Sequence, residues 1–232
     1  MRIEIWSDVV CPWCYIGKRR LEEALAGFEH RDQVQIEWRC FQLDPSAPTE
    51  PTEDVAEMLG RKYGGGRDAA LTMVANVQQV AAEVGLDFSR HPEALHLNTV
   101  DAHRLLHAVG ERRGELKEAL LHAYFVEARN LADHDVLVDV ATSIGIDADE
   151  ARAVLSSDAH AEAVAADAAQ AQAYGATGVP FFVFDAKYGV SGAQPVEAFT
   201  QVLERAWADR PTIQLVTAGE AAPGCDGDEC AI

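Results

Sequence analysis

Two cysteines three residues apart carry the first chemistry that can be read from this chain. They are Cys11 and Cys14, in the stretch "VVCPWCYIGKRRLEEAL" at residues 9–25. Cys11 stands where the apolar period of a helix begins. Pro12 fills the first helical position, where its missing N–H costs nothing. Free backbone N–H groups and the positive end of the helix dipole lie beside Cys11, which predicts a lowered thiol pKa and a thiolate nucleophile. Cys14 shares the helix face, and one turn of helix places the two Cα atoms about 5–6 Å apart, within disulfide reach. One thiol of such a pair can attack a disulfide and the other can resolve the mixed disulfide. Two other uses remain open on spacing alone. Both thiols could be packing, although Pro-Trp between them at a helix start argues against burying both. They could also be half of a zinc-binding or redox-sensing module without turnover, because Cys-x2-Cys is a permitted ligand spacing.

The chain holds five cysteines in 232 residues, which is not the density of a secreted disulfide framework. Cys40 falls on the apolar side of the alternating stretch "VQIEWRCF", with Val34, Ile36 and Trp38, and is expected to be a buried strand residue. Cys225 and Cys230 form a second pair, "CDGDEC", in a Gly/Ala/acidic tail. A disulfide closing so short a loop contributes on the order of 2 kcal/mol in the loop-entropy model and constrains little of a tail, so stability is a poor reason for it. Asp226, Asp228 and Glu229 crowd this pair and raise its thiol pKa values, which predicts the more reducing couple and a possible electron relay to Cys11–Cys14. The two pairs could also supply a zinc site together. Structural zinc pairs usually lie close in sequence on tight turns, so no metal is expected.

The elements that must position these residues follow from the hydrophobic period. Arg2 to Trp6 reads as a strand, Pro12 to Phe28 as a helix on Ile16, Leu21, Leu25 and Phe28, and 34–41 as a second strand. This is a βαβ unit. A Pro-rich connector, "LDPSAPTEPT", leads into more than a hundred residues of helical pattern, broken at Gly64–Gly66, Gly85, Gly110, Gly114 and Gly145. At Pro180 the period returns to strand: "PFFVFDAKYGVSG" predicts a hairpin turning at Asp185-Ala186-Lys187. "PVEAFTQVLERAWADR" is a closing amphipathic helix. The expected fold class is α/β, a βαβ…ββα unit at 1–45 and 175–212, interrupted by an all-helical insertion at 46–174, with a flexible acidic tail at 213–232. The first helix starts at the carboxyl end of the first strand, where open α/β sheets place their ligands.

Composition removes several function classes. With 19 basic against 38 acidic residues, a net charge of −19 and no basic stripe, nucleic acid and anionic membranes are not expected partners. The N-terminus "MRIEIWSD" lacks a signal-peptide apolar core, and no window reaches 18 uninterrupted apolar residues. The expected location is the cytoplasm. His103 and His107 are spaced i, i+4 without a completing carboxylate, which predicts a polar helix face rather than a metal site. "YGGGR" lacks the lysine and hydroxyl of a phosphate loop.

The motifs "SDVVCPWCYIGKRRLE", "NTVDAHRLLHA" (98–108) and "GATGVPFFVF" (175–184) resemble those of the DsbA family of thioredoxin-fold oxidoreductases, and within it the FrnE-like proteins. The resemblance spans nearly the whole chain. It implies that Cys11 is an exposed attacking cysteine, Cys14 its resolving partner and Pro180 a cis-proline, with the Val179 backbone beside an extended substrate. Trp13, expected to be exposed, is a candidate substrate grip. Periplasmic DsbA proteins carry Pro-His where this chain carries Pro-Trp, which removes a donor to the thiolate. The expected potential therefore lies between about −270 mV for thioredoxin and about −120 mV for DsbA. No tightly bound cofactor is implied beyond the redox-active disulfide. The implied partners are a disulfide-containing protein or small molecule and a cellular thiol reductant, with glutathione a candidate donor. Kappa-class glutathione transferases and 2-hydroxychromene-2-carboxylate isomerases share the architecture and form the rival reading. They typically carry Ser at the position of Cys11 and no partner cysteine at 14.

Overall fold

The computed structural model describes residues 1–210. Four strands form one mixed sheet, in the order β2-β1-β3-β4: β1 (Arg2–Ser7), β2 (Gln35–Cys40), β3 (Phe181–Phe184) and β4 (Tyr188–Ser191). β1 pairs parallel to β2 and antiparallel to β3, and β3 continues antiparallel into β4. Helix α1 (Pro12–Ala26) makes the parallel crossover, and α9 (Val196–Ala208) closes the described chain.

Both faces of the central strands are covered, so β3 is apolar on both and β1 carries its one buried carboxylate, Glu4, paired with Arg2 and Arg39. Ile3, Ile5, Trp38, Phe182 and Phe184 pack with Leu21 of α1 and with Phe199 and Leu203 of α9. Each such side chain, fully buried, contributes roughly 1.5–3 kcal/mol. On the other face Trp6, Phe181 and Val183 meet Ala171 of α8 (Ala161–Ala173). The hairpin turn falls on Asp185–Lys187, as its sequence predicts. Asp185 and Ala186 both adopt left-handed backbone, at φ 48° and 54°, and Asp185 is fixed there by hydrogen bonds in both directions with the Arg2 backbone.

Between β2 and β3 the chain is helical: α2 (Val55–Tyr63), α3 (Gly66–Glu83), α4 (Val100–Ala108), α5 (Arg113–Phe125), α6 (His134–Ser143), α7 (Ala148–Leu155), then α8. Their core includes Val74, Leu105, Leu120, Phe125 and Leu137, and it reaches Tyr15 and Ile16 of α1. α2 begins with a full capping box, in which Asp54 accepts from the Glu57 N–H and the Glu57 carboxylate accepts from Asp54 N–H.

Three local expectations are corrected here. Helix α1 ends at Ala26, short of Phe28. Ile36 is 41% exposed although it shares the alternation of Trp38, because β2 is an edge strand covered only toward its C-terminal end. Gly114 does not break a helix. It lies in the first turn of α5, where a Cβ would stand 3.3 Å from Nε1 of Trp38, so glycine lets α5 approach the sheet.

Candidate active site

β1 ends at Ser7, and the chain runs through Asp8 to Cys11, which caps α1 with extended backbone at φ −92°, ψ 113°. Pro12 occupies the first helical turn, as expected. Cys14 N–H donates to the Cys11 carbonyl at 3.0 Å, so the CPWC stretch is wound into the helix and both sulfurs lie at its start. Both are free thiols. Across from them, the Val179–Pro180 peptide bond is cis, and the Cys11 thiol donates to the Val179 carbonyl at 3.5 Å. The structure thus brings together Cys11, Cys14, Val179 and Pro180. Trp13, between the two cysteines, is 41% exposed. The tail pair Cys225 and Cys230 lies outside the described residues.

The expected exposure of the attacking thiol is corrected: Cys11 is only 3% exposed, and Cys14 is buried beneath it. The Val179 loop and the neighbouring helices cover the start of α1, so Cys11 is reached through a pocket of about 410 Å³ that it lines with Trp13 and Val179. Leu43, Tyr63 and Met73 form the facing wall. Together with Trp13, these are four of the seven large apolar side chains left exposed among the described residues. The apolar surface of an otherwise acidic protein is concentrated at the mouth of the dithiol.

The electrostatics also differ from the simple helix-terminus expectation for Cys11. The titrations of the two neighbouring thiols are linked, so losing one proton holds back the second. The neighbouring Cys14 sulfur, and then burial, push the Cys11 thiol well up. Burial alone would push Cys14 up too. The neighbouring Cys11 and the positive charge of Lys117 outweigh it and bring Cys14 below the ordinary thiol value. Of the two sulfurs, Cys14 is therefore the one that ionises more readily. Cys40 is the buried bystander its sequence predicts, its thiol pushed up to about 12 by burial and by Asp167.

Several residues beside the pair carry no signal in the sequence. Asp8 is buried, and its carboxylate accepts from Val9 N–H at 2.7 Å and Leu43 N–H at 2.8 Å and pairs with His103 Nε2 at 3.1 Å. Lys117 of α5 is buried and donates to the Ser7 carbonyl at 3.0 Å. The next residue, Glu118, accepts from the Tyr15 hydroxyl at 2.6 Å and pairs with Lys18 and Arg19, which ties α5 to the CPWC helix.

His103 and His107 are not a polar surface face. His103 is fully buried against Asp8, and His107 donates from Nε2 to Asp167 at 2.9 Å while Arg113 donates to its Nδ1. Buried carboxylates elsewhere in the fold turn both rings inward. Cys40, His107 and Asp167 offer a sulfur, a nitrogen and an oxygen within 4.8 Å of one another. Arg39 and Arg113 both hydrogen-bond into this cluster, so positive charge already occupies the surroundings a cation would need.

The family model of the DSBA-like thioredoxin domain matches residues 2–204. A crystal structure described as a probable DsbA oxidoreductase from Streptomyces coelicolor is 45% identical and superposes with a TM-score of 0.87, covering 97% of this chain and 100% of that one. A 2-hydroxychromene-2-carboxylate isomerase, 14% identical, covers 88% of this chain and 95% of its own with a TM-score of 0.64. The cytosolic disulfide reductase DsbM from Pseudomonas aeruginosa, in complex with GSH, is 16% identical and covers 90% of this chain and 100% of its own with a TM-score of 0.62. At those identities the last two attest the fold alone, while the first agrees with the family match. The chain belongs to the DsbA-like thioredoxin-domain family and is an oxidoreductase of that class.

Proposed function

We propose that this protein is a cytoplasmic thiol–disulfide oxidoreductase in which Cys11 exchanges with a substrate disulfide and Cys14 resolves the product. The observation that carries this reading is the placement of Cys11 between the Val179 carbonyl and an apolar pocket, with Cys14 directly beneath it. In the reducing direction, the Cys11 thiolate attacks one substrate sulfur, the substrate S–S bond breaks, and the other sulfur leaves with the electron pair. Cys14 then attacks Cys11 Sγ, forming the Cys11–Cys14 disulfide and releasing the second substrate thiolate, which takes a proton from solvent. A cellular thiol, with glutathione a candidate, reverses the sequence to restore the dithiol. Cys14 ionises more readily than Cys11, so attack draws on the form in which the proton has passed from Cys11 to Cys14.

Pro180 and Val179 position the substrate backbone, and Trp13 supplies an apolar grip at the pocket mouth. Segments 1–45 and 175–212 form the oxidoreductase unit, and the helical segment 46–174 furnishes Tyr63 and Met73 of the facing wall. Among the described residues no helix is long and apolar enough to cross a membrane. Electrons reach the pair through Cys225 and Cys230. A Cys225→Ser, Cys230→Ser variant that turns over as fast as wild type with every reductant removes that relay from the scheme.

The direct test is trapping. Cys14→Ser incubated with a disulfide substrate accumulates a mixed disulfide on Cys11, read by mass spectrometry, and Cys11→Ser accumulates none. A mixed disulfide on Cys14, or none at all, contradicts the assignment. Tight glutathione binding with isomerase turnover in the same preparations would move the isomerase reading ahead.

A further inference from the structure

Helix α5 delivers a buried lysine to the end of β1, four residues before Cys11. Lys117 is 1% exposed, and its ammonium donates to the Ser7 carbonyl at 3.0 Å. Among the described residues, no carboxylate lies within 4.0 Å of its Nζ. Asp8 acts on it from farther away, and the Asp8 oxygens are already engaged by Val9, Leu43 and His103. A buried ammonium held by one neutral carbonyl carries a penalty of several kcal/mol unless an anion compensates it. Burial pushes Lys117 down accordingly, and of the groups that push it back up the Cys14 thiolate acts most strongly, ahead of Asp8, Cys40 and Cys11.

We infer that Lys117 is a positioning residue for the redox pair, the buried counter-charge that holds the thiolate of the reduced state on Cys14. This rests on reading Cys11–Cys14 as a redox couple and names the group that sets its potential. The compensation exists only in the dithiol state. Oxidation to the disulfide removes the thiolate and leaves the ammonium without that compensating charge, so Lys117 favours the reduced form and makes the couple more oxidising. It also keeps the resolving sulfur ionised for its attack on Cys11 Sγ. The charged and titratable groups around it are Cys11 and Cys14 from α1, Asp8 from the loop after β1, Cys40 from β2 and His103 from α4.

The test replaces the charge and keeps the length. In Lys117→Met, the dithiol–disulfide equilibrium against glutathione at pH 7 is expected to move about tenfold toward the disulfide, or about 30 mV for a two-electron couple. In a Cys11→Ser background, Lys117→Met is expected to raise the pH at which Cys14 ionises by about one unit, followed by thiolate absorbance. Resolution slows only about threefold, because a tenfold loss of thiolate is partly offset by its higher intrinsic nucleophilicity. A folded Lys117→Met protein with unchanged equilibrium and unchanged Cys14 ionisation overturns the inference. If that variant does not fold, Cys11→Ser with Lys117 intact still decides: Cys14 is expected to ionise below the ordinary thiol value of about 8.5, and ionisation at or above it overturns the assignment. A wild-type protein without any redox transition would instead overturn the couple itself.

Discussion

Gly17 lies on α1 one turn beyond Cys14, and its missing side chain is where the CPWC helix seats on the Pro180 loop. A Cβ at this position would stand 3.1 Å from Pro180 Cγ, 3.3 Å from Phe182 Cζ and 3.4 Å from Ala193 Cα. On helix propensity alone, Gly17→Ala gains about 1 kcal/mol. Carbon atoms attract best at about 3.5–4.0 Å, so all three contacts fall inside the optimum. None of the three can swing away: they are a proline ring atom, a buried phenyl ring and a backbone atom. Forcing a methyl group into such a site costs about 1–3 kcal/mol. The two effects leave a net loss of about 1 kcal/mol, relieved by moving α1, and Cys11 with it, off Pro180. Urea unfolding at an unchanged slope of about 2–3 kcal/mol/M should show the midpoint falling by about 0.3–0.5 M. Disulfide turnover should fall several-fold in protein that is still folded under assay conditions. A midpoint that rises by the full propensity gain, with turnover unchanged, would refute the tight seating.

Trp13→Ala should lower kcat/KM for a protein disulfide by about tenfold, as loss of an apolar anchor does, while unfolding stability stays within about 0.5 kcal/mol. His91, packed against Phe88, Tyr124 and Phe125, is pushed down to about 4 by burial. Its folded value lies below the unfolded value of about 6.5, so the unfolded chain takes up the proton first and stability falls as pH drops from about 6.5 to about 4. His103, also lowered by burial, adds to the same slope. In His91→Phe the slope of stability against pH in that window should be shallower than in wild type, and an identical slope would show that His91 does not contribute. Asp167 accepts from His107, from Cys40 N–H and from Arg39, tying α8 to β2. Asp167→Ala should cost about 3 kcal/mol in urea unfolding, whereas a loss under 1 kcal/mol would mean that the network is not cooperative.

The sheet and its redox pair are legible in the sequence because their signals are local. "PFFVFDAKYGVSG" alternates and turns within a few residues, and the Cys-Pro-Trp-Cys run writes a helix start and two thiols into one stretch. The burial of His103 and Lys117 is not local. Asp8 meets His103 across 95 residues, and Lys117 reaches Ser7 across 110. On their own helices both look like ordinary polar positions, and only the folded partners justify taking them out of water. Gly114 resembles a helix break for the same reason, since the indole it accommodates belongs to Trp38 on another element. The pocket beside Cys11 is equally non-local. Its walls come from α1, the Val179 loop and the α2–α3 pair, and no single segment shows an apolar patch.

The central claim, that Cys11 and Cys14 form a working redox couple, is tested most directly by equilibrium titration in glutathione buffers, read by alkylation and mass spectrometry. The account predicts a reversible two-electron transition with one disulfide linking Cys11 to Cys14, at a potential between about −270 and −120 mV. Absence of any transition, or a disulfide that pairs either cysteine elsewhere, would contradict it.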